Sequence, residues 1–298
     1  MKTLILGSAI VDQIMLIDRL PLSGEDITCI ETKTTIGGCA YNVASTMRNL
    51  DTHHDLYVPV GTGLYANLIR ETLLQNGYPI LFHSEEKDNG YCLTLVESNG
   101  ERTFITVVGA EGYLKKDWLE NINLDDYSQV YVDGYQFTNH NGKIIAEWLS
   151  ANNQTQLFFA PGPVINVINA EVMNQLLSLK PILHINEKEL KDFTHHNDIK
   201  QAVQCLHSQT QNLIIVTLGS KGAAYFDGTI FEIIPSPKVK IVDTIGAGDS
   251  HIGAILAGLS QGYPLKDAVI LANKIAAEVV QTQGSIMTKE NFIQKFGG

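Results

Sequence analysis

The spacing of hydrophobic positions divides the chain into two parts near residue 130. Before that point several stretches alternate apolar and polar residues, as in Ile27–Ile36, and such alternation is typical of a sheet with one exposed face. Tyr91–Glu97 and Thr103–Val108 also alternate, and the turn Ser98–Glu101 between them predicts a β-hairpin. From Val130 onward short apolar strands alternate with helical segments, which favours a parallel sheet covered by helices on both faces.

These patterns predict a single α/β domain over residues 1–298, with a small β-sheet lid formed by insertions at roughly 12–36 and 89–110. The strands predicted outside the lid are Thr3–Gly7, Leu56–Val60, Val130–Asp133, Leu157–Ala160, Ile182–Ile185, Leu213–Leu218, Ala223–Phe226 and Ile230–Ile234. The predicted helices are Gly37–Leu50, Leu64–Gln75, Lys143–Asn152, Glu171–Ser178, Glu187–Thr194 and Ile199–Ser208, and helices dominate from Gly246 to the end.

The composition indicates a globular protein that does not bind polyanions. Hydrophobic residues make up 44% of the 298 positions and charged residues 18%, which is not the composition of a disordered chain. The formal net charge of -11 repels phosphate backbones and anionic membrane surfaces, so we expect neither a nucleic-acid partner nor a membrane partner. A nucleotide would need a local site, such as the backbone amides at the start of a helix.

The cysteines and the apolar runs favour a cytoplasmic protein. No two cysteines form a CxxC pair or have the spacing of metal ligands, which fits a reducing compartment. They are Cys29, Cys39, Cys92 and Cys205. No run reaches the ~18 apolar residues of a membrane span. Asp12 interrupts the short apolar start, which is better explained as a core strand than as a signal peptide.

The stretch Gly246-Ala247-Gly248-Asp249 carries the most chemical information. A β-prone run, Val239–Val242, precedes it and a helix rich in small residues follows, so we expect this turn between a strand and a helix. The first amides of a helix have no intrahelical partner and can stabilise the charge of a transferring phosphoryl group. Asp249 could accept the proton of an attacking hydroxyl as a general base. On this motif alone, a glycine-rich turn with Asp249 as a helix cap is an equally good explanation.

Three other motifs could bind ligands. Gly37 and Gly38 stand before a predicted helix, where glycines let the backbone approach a ligand, and Asn42 follows one turn later. Asn186 and Glu189 are three residues apart at a predicted helix start, so they share one face and could hold hydrated Mg²⁺ and phosphate. The third motif, Val216–Gly222, is a strand end and glycine turn beside which a nucleotide could lie. Taken singly, each motif has a simpler explanation as a helix entry, a polar helix start or a turn.

Other enzyme classes fit the sequence poorly. Gly258–Gly262 has the spacing of a serine hydrolase elbow, but a helix precedes Ser260 where that motif requires a strand. A dinucleotide-binding GxGxxG would need glycine at position 251, where His251 stands. The chain contains neither a P-loop motif nor the HRD and DFG motifs of protein kinases.

In this order, the four motifs resemble the PfkB/ribokinase family of carbohydrate and nucleoside kinases. DTIGAGDSHIGAILAG is similar to the C-terminal signature of that family and GGCAYNVAS to its N-terminal signature. NEKE matches its NxxE element, and VTLGSKG its nucleotide-side strand and turn. The resemblance covers nearly the whole chain. It implies a ribokinase-like three-layer α/β/α fold with a mostly parallel central sheet and a small β-sheet lid, and transfer of phosphate from ATP with Mg²⁺.

The resemblance also implies roles for residues at matching positions. Asp249 would be the base, and the backbone of Gly246, Ala247 and Gly248 the anion hole. Substrate hydroxyls would be held by Asp12, Gly37, Gly38 and Asn42. Asn186 and Glu189 would serve the Mg²⁺–phosphate region, with Glu189 acting through water. The nucleotide would be lined by Thr217, Gly219 and Asn273. Many relatives bind a monovalent cation such as K⁺, for which the matching positions are Asp243, Ile245, Val279, Thr282, Gly284 and Thr288.

The sequence leaves the substrate and the assembly open. Relatives usually carry GxDxxG after the second strand, and the aspartate is absent from Gly61–Ala66 here. Polar groups at Asp12 and Asn42 suit a sugar or sugar derivative, which we favour over a nucleoside. Tyr41, Phe104, Tyr135 and Phe137 are candidates for the wall that a nucleoside base would need. A catalytically silent binding protein is the alternative from another class. The exposed face of the lid sheet predicts a homodimer formed through the lid.

Overall fold

The computed structural model describes residues 2–152 and 154–296, which form fourteen β-strands and ten α-helices. The strands are β1 (Thr3–Leu6), β2 (Ile10–Ile17), β3 (Glu31–Gly37), β4 (His54–Tyr57), β5 (Pro59–Val60), β6 (Phe82–His83), β7 (Tyr91–Glu97), β8 (Arg102–Val107), β9 (Gln129–Asp133), β10 (Gln156–Ala160), β11 (Ile182–Asn186), β12 (Ile214–Thr217), β13 (Ala223–Phe226) and β14 (Phe231–Ile234). The helices are α1 (Cys39–Asn49), α2 (Leu64–Gln75), α3 (Lys116–Glu120), α4 (Asn141–Ala151), α5 (Ala170–Ser178), α6 (Glu187–Thr194), α7 (Ile199–Thr210), α8 (Ala247–Ser260), α9 (Leu265–Val279) and α10 (Lys289–Phe296).

The first of two compact units is built on an eight-stranded sheet. It contains the described residues of Met1–Gly7, Cys39–Tyr57 and Leu114–Gly298. The strand order is β14-β13-β12-β11-β10-β9-β1-β4. In this order the six strands from β12 to β4 pair in parallel, whereas β13 and β14 at the other edge are antiparallel. Its helices form two packed groups, α1 with α8 and α9, and α4 with α5, α6 and α7. The predicted ribokinase-like α/β fold with a mostly parallel sheet is confirmed.

The parallel arrangement gathers polar residues at one edge of this sheet. The central strands are almost wholly apolar and buried, as expected for strands covered on both faces. Their carboxyl ends reach the same edge, because Ala160 pairs with Asp133 and Asn186 pairs with Thr217. In open parallel sheets, ligands bind outside these carboxyl ends.

The second unit, Ser8–Gly38 and Val58–Tyr113, contains a separate four-stranded sheet of order β3-β2-β7-β8. The hairpin predicted from alternation is β7–β8, and it is confirmed with Leu93 opposite Ile105. Helix α2 and the short β5–β6 pair also belong to this unit. The sequence had suggested that both would be part of the main α/β body.

The strand predicted over Leu56–Val60 is divided between two sheets. His54–Tyr57 pairs with β1 in the large sheet, whereas Pro59–Val60 pairs with Phe82–His83. Pro59 has no N–H to donate to a ladder, and proline is confined to strand edges and ends. The interruption therefore falls where the chain leaves the first unit.

An aspartate from another loop stands at the start of α2, where the GxDxxG aspartate of relatives is missing. The Asp88 carboxylate accepts hydrogen bonds from the backbone N–H groups of Tyr65 and Ala66, at 3.2 and 2.7 Å. A carboxylate at this position satisfies two of the unpaired amides of the helix. In the described residues no helix is long and apolar enough to cross a membrane.

Candidate active site

Helix α8 begins in a turn that only glycine can form. Gly246 precedes the helix in the left-handed region (φ 73°), and a Cβ there would overlap the carbonyl oxygen of Ser285. The backbone N–H of Ala247 donates to Thr244, and that of Ser250 donates to Gly246. Within the described chain, the amides of Gly248 and Asp249 have no hydrogen-bond acceptor. This pair of unpaired donors at a helix start is suited to binding an anion.

The chain before this turn is not the strand predicted at Val239–Val242. The structure shows irregular backbone there, and the side chain of Val242 is exposed. The backbone N–H groups of Val242 and Asp243 both donate to the carbonyl of Val280, beyond α9. Pairing with that single carbonyl replaces a β-ladder, so the expected strand before the turn is wrong.

Asp249 is held in place by side chains from α1. Asn42 donates from Nδ2 to Oδ2 of Asp249 at 2.8 Å, and the Cys39 side chain forms a further hydrogen bond. Ser285 donates to the Asn42 Oδ1 at 3.1 Å, which fixes the direction of the amide. Burial raises the pKa of Asp249 to about 6, and the bonds from Asn42 and Cys39 oppose this rise. Asp249 is therefore largely ionised at neutral pH and able to accept a proton.

Sequence reasoning missed a second carboxylate, Asp133, at the end of β9. Its Oδ1 accepts a hydrogen bond from the N–H of Tyr135, and its Oδ2 is enclosed without a partner in the described structure. Burial, and then the charge of Asp249, raise the pKa of Asp133 to about 7. The Tyr131 hydroxyl is enclosed without a partner in the same way. The signal in the sequence was an aspartate that ends a buried apolar strand.

These groups border one cavity of about 290 Å³ in the first unit. Its lining includes Asp133, Asp249, Tyr131, Cys39, His184 and Glu189. We call it the catalytic cavity. Tyr135, an aromatic candidate from the sequence, lies on its wall. Two unpartnered buried oxygens indicate a place where a polar ligand or water completes the hydrogen bonding.

A larger cavity of about 480 Å³ adjoins it along α8 and α9. Thr217, Gly219 and Asn273, predicted to line a nucleotide, all border this cavity, which we call the nucleotide cavity. Thr217 and Gly248 border both cavities, so the two meet at the glycine turn. The volume falls in the range of small-molecule sites, and apolar side chains such as Ile241 and Val280 suit a flat aromatic ring.

Asn186 and Glu189 form a reciprocal cap at the start of α6. The N–H of Glu189 donates to Asn186 Oδ1 at 2.8 Å, and the N–H of Asn186 donates to Glu189 Oε2 at 3.1 Å. Both residues border the catalytic cavity. Burial raises the pKa of Glu189. Because the cap engages Oε2, Oε1 is the Glu189 oxygen suited to receiving a metal-bound water.

The structure brings part of the predicted cation segment together. Asp243 Oδ1 accepts from the N–H of Ile245 at 2.8 Å, and its Oδ2 accepts from the N–H of Gly284 at 3.1 Å. The Thr282 hydroxyl donates to the carbonyl of Val279 at 3.1 Å. Thr288 instead caps α10, where its hydroxyl accepts from Asn291. A monovalent cation at this segment stays a prediction.

The predicted sugar-binding residues Asp12, Gly37 and Gly38 lie together in the second unit. Asp12 is on β2, and a Cβ at position 37 would overlap its carboxylate. Gly38 has a φ of 98°, and a Cβ there would lie 2.6 Å from the carbonyl oxygen of Ser8. Gly38 therefore permits a close approach of two backbone segments, and Gly37 leaves room for the Asp12 carboxylate. Asn42, the fourth member of this predicted group, belongs to the first unit and bonds Asp249.

Comparison with known proteins gives the family. Residues 2–291 match the profile of the pfkB family carbohydrate kinases. The chain belongs to this family. The prediction of a carbohydrate kinase from the four motifs is thereby confirmed.

Individual proteins that are similar to this chain include a sugar kinase, a ribokinase and a nucleoside kinase. The chain is 34% identical to the uncharacterized sugar kinase YegV of Escherichia coli, over 95% of this chain and 89% of that one. Its structure is similar to ribokinase from Thermotoga maritima, with a TM-score of 0.84, 25% identity and coverage of 100% and 99%. A nucleoside kinase from Burkholderia thailandensis in complex with inosine gives a TM-score of 0.78 at 19% identity, covering 99% and 97%, which shows the shared fold alone.

Proposed function

We propose that this pfkB-family kinase transfers the γ-phosphoryl group of ATP to a hydroxyl of a sugar or sugar derivative. The observation that carries the proposal is the position of Asp249. Asn42 holds its carboxylate beside the unpaired amides at the start of α8, in a cavity that adjoins the nucleotide cavity. A base and an anion site at one helix start are the two groups that phosphoryl transfer to an alcohol requires.

The proposed reaction divides the work between these groups. Asp249 removes the proton of the acceptor hydroxyl as the oxygen attacks phosphorus. The amides of Gly248 and Asp249 bind the phosphoryl oxygens, on which charge is concentrated during transfer. Asn42 keeps the Asp249 carboxylate oriented, so we assign it a positioning role in addition to the substrate contact implied by the resemblance. The bond from the γ-phosphorus to ADP breaks as the bond to the acceptor oxygen forms, and Asp249 gives up its proton to solvent after the products depart.

The nucleotide and Mg²⁺ fit the residues present. The apolar walls of the nucleotide cavity suit an adenine ring, and Thr217 borders the place where the phosphates would enter the catalytic cavity. Glu189 and Asn186 would hold hydrated Mg²⁺, which supplies positive charge to the phosphates. Asn273 shapes the wall of the nucleotide cavity, because its amide oxygen bonds to His251 and its amide nitrogen donates to the carbonyl of Ile234.

The acceptor is proposed to be a free sugar or a simple derivative. The carboxylate of Asp12 and the close backbone at Gly38 are suited to neighbouring hydroxyls. A coupled assay of ADP release, with pentoses, ketohexoses, keto-deoxy sugar acids and nucleosides, with and without K⁺, tests the proposal. We expect turnover with at least one sugar. Turnover with nucleosides alone would change the acceptor class, and no turnover with any acceptor would contradict the kinase assignment.

We also propose that the protein forms a homodimer through the sheet of the second unit. Strand β8 is an edge strand of that sheet, and it exposes Phe104, Ile105 and Val107, followed by Val108. Exposed apolar side chains on a sheet favour packing against another chain. A second copy presents the same strand, so a two-fold contact would cover both.

A further inference from the structure

A buried chain of three side chains links the two cavities and has no part in the reaction described above. His184 Nε2 lies 2.9 Å from His251 Nδ1, and His251 Nε2 lies 3.2 Å from Asn273 Oδ1. Each of the three residues is at most 6% exposed. His184 borders the catalytic cavity, whereas His251 and Asn273 border the nucleotide cavity.

The direction of these hydrogen bonds is set at the Asn273 end. Asn273 Nδ2 faces the carbonyl oxygens of Ile234 and Pro235, at 2.9 and 3.4 Å. Carbonyl oxygens only accept, so the amide nitrogen must lie on that side and the amide oxygen must face His251. His251 therefore donates from Nε2.

The same logic fixes the tautomers of both histidines. Burial lowers the pKa of His251 to about 4, and His184 is buried beside it with no carboxylate bonded to its ring in the described chain, so both rings are neutral. A neutral imidazole carries one N–H. With its proton on Nε2, His251 accepts at Nδ1, and His184 must donate from its own Nε2. Nδ1 of His184 is then left with a lone pair.

His184 borders the catalytic cavity, the space in which that lone pair could find a partner. In the described part of the chain, His251 is the only hydrogen-bond partner of the His184 side chain. His184 Nδ1 is not fully enclosed by protein atoms, and His184 borders the cavity. The carboxylates of Asp133 and Asp249 line the same space. His184 Nδ1 and the ionised carboxylate of Asp249 can only accept hydrogen bonds, so a ligand between them would supply the hydrogens.

We propose that His184 Nδ1 accepts a hydrogen bond from an O–H group bound in the catalytic cavity, and that His251 and Asn273 are positioning residues that hold it in the accepting tautomer. The O–H group belongs either to the acceptor substrate or to a water on the Mg²⁺ of the bound nucleotide. A fully ionised phosphate has no hydrogen to donate and is excluded as the partner. The inference rests on the proposed kinase function for its ligand, but the tautomers follow from the free protein alone.

The tautomers can be measured without any substrate. In protein labelled with ¹⁵N at histidine, the chemical shift of each ring nitrogen distinguishes a protonated from an unprotonated atom. We expect unprotonated Nδ1 and protonated Nε2 at both His184 and His251 near neutral pH. Spectra of His184→Phe and His251→Phe assign the signals, with His207→Phe, in another part of the first unit, as the matched control. A proton on His184 Nδ1 would overturn the proposal, whatever the enzyme phosphorylates.

Addition of ligands identifies the donor. The probes are Mg²⁺ with ADP, and separately each acceptor of the sugar and nucleoside panel. A shift of the His184 Nδ1 signal with Mg²⁺ and ADP assigns a metal-bound water, and a shift with an acceptor assigns a substrate hydroxyl. If the signal moved with none of the probes, His184 would not contact a ligand and the proposal would be wrong. Absence of turnover in the acceptor screen would instead argue against the kinase function.

Kinetics then separate a binding role from a structural one. His184→Phe keeps a ring of similar volume but removes the acceptor, and we expect about a tenfold loss in kcat/KM from one hydrogen bond. His184→Asn places an oxygen on the same Cγ and should recover part of that loss. His251→Phe leaves His184 free to change tautomer and should cause a smaller loss. Equal losses in His184→Phe and His184→Asn, or parental kinetics in His184→Phe, would contradict the assignment.

Discussion

The carboxylate of Asp249 combines burial, which favours the protonated form, with two hydrogen bonds that favour the ionised form. The result is a pKa of about 6, near the pH at which a base must be both ionised and willing to take a proton. Asp249 was predicted as the base from its place in the glycine-rich motif. Its hydrogen bond with Asn42 was not predicted, because Asn42 is 207 residues away in sequence. No local pattern specifies such a contact.

The Asn42 amide should therefore control the pH dependence of the reaction. We expect kcat/KM to decline as the pH falls through about 6, because protonated Asp249 cannot act as a base. Asn42→Ala removes a bond that lowers the pKa of Asp249, so its pKa should rise and the decline should begin at a higher pH. Measurement of kcat/KM against pH for both proteins checks this.

The matched control is Asn49→Ala on the same helix. Asn49 is buried and donates to the carbonyl of Met287, without contact to Asp249. The Asn49→Ala protein loses one buried hydrogen bond, as the Asn42→Ala protein does, but it should keep the parental dependence of kcat/KM on pH. An unchanged profile in Asn42→Ala, or an equal displacement in both variants, would show that Asn42 does not set the pKa of the base.

At the scale of elements, local signals in the sequence predicted the bounds of some helices correctly. Helices Leu64–Gln75 and Glu187–Thr194 have the predicted bounds, the second because Asn186 and Glu189 cap each other. The expected strand at Val239–Val242 is irregular, since its β-prone residues find a loop carbonyl instead of a neighbouring strand. Propensity for strand is expressed only when a partner strand is available.

The two glycines of the α8 turn should respond differently to alanine. Gly246→Ala adds a Cβ at a positive φ and against the Ser285 carbonyl, so we expect a loss of at least about 2 kcal/mol in the free energy of unfolding. Gly248→Ala meets nothing within 4 Å and should fold with near-parental stability. Its methyl group would instead enter the space that both cavities share, and turnover should fall.

Denaturant unfolding and the ADP-release assay, applied to both variants, distinguish these effects. The expected pattern is an unstable Gly246→Ala and a stable but poorly active Gly248→Ala. A stable and fully active Gly248→Ala would mean that the open side of the turn is not where the phosphoryl group binds.

At the scale of the whole molecule, the sequence predicted the family and the α/β class through the order of its motifs. It did not predict which segments leave the main sheet, because α2 and β5 have the same local patterns as elements of the first unit. It also missed Asp133, His184 and His251. Their proposed roles depend on parallel strands and α8 bringing them to two adjoining cavities, which appears only once the chain is folded.

The proposed homodimer should depend on one face of β8. Phe104 and Ile105 are adjacent and exposed, so their side chains point to opposite faces of the sheet. By light scattering at micromolar concentration, we expect the wild type at twice the 32.8 kDa mass of the chain. Either Phe104→Arg or Ile105→Arg should reduce the mass to one chain, and the effective variant identifies the interface.

Ile233→Arg, at an exposed position on β14 of the first unit, serves as the control and should leave the mass unchanged. A monomeric wild type would refute the dimer. The kinase assignment would remain, because the residues proposed for catalysis all belong to one chain.

The most direct test of the account is turnover by Asp249→Asn with the best acceptor from the ADP-release screen. Asparagine keeps the shape of the side chain and can still pair with Asn42, but it cannot take a proton at neutral pH. We expect a folded protein that binds ATP with parental affinity and loses on the order of 10²–10⁴-fold in kcat. A purified, folded Asp249→Asn protein with near-parental kcat would contradict the central claim that Asp249 is the catalytic base.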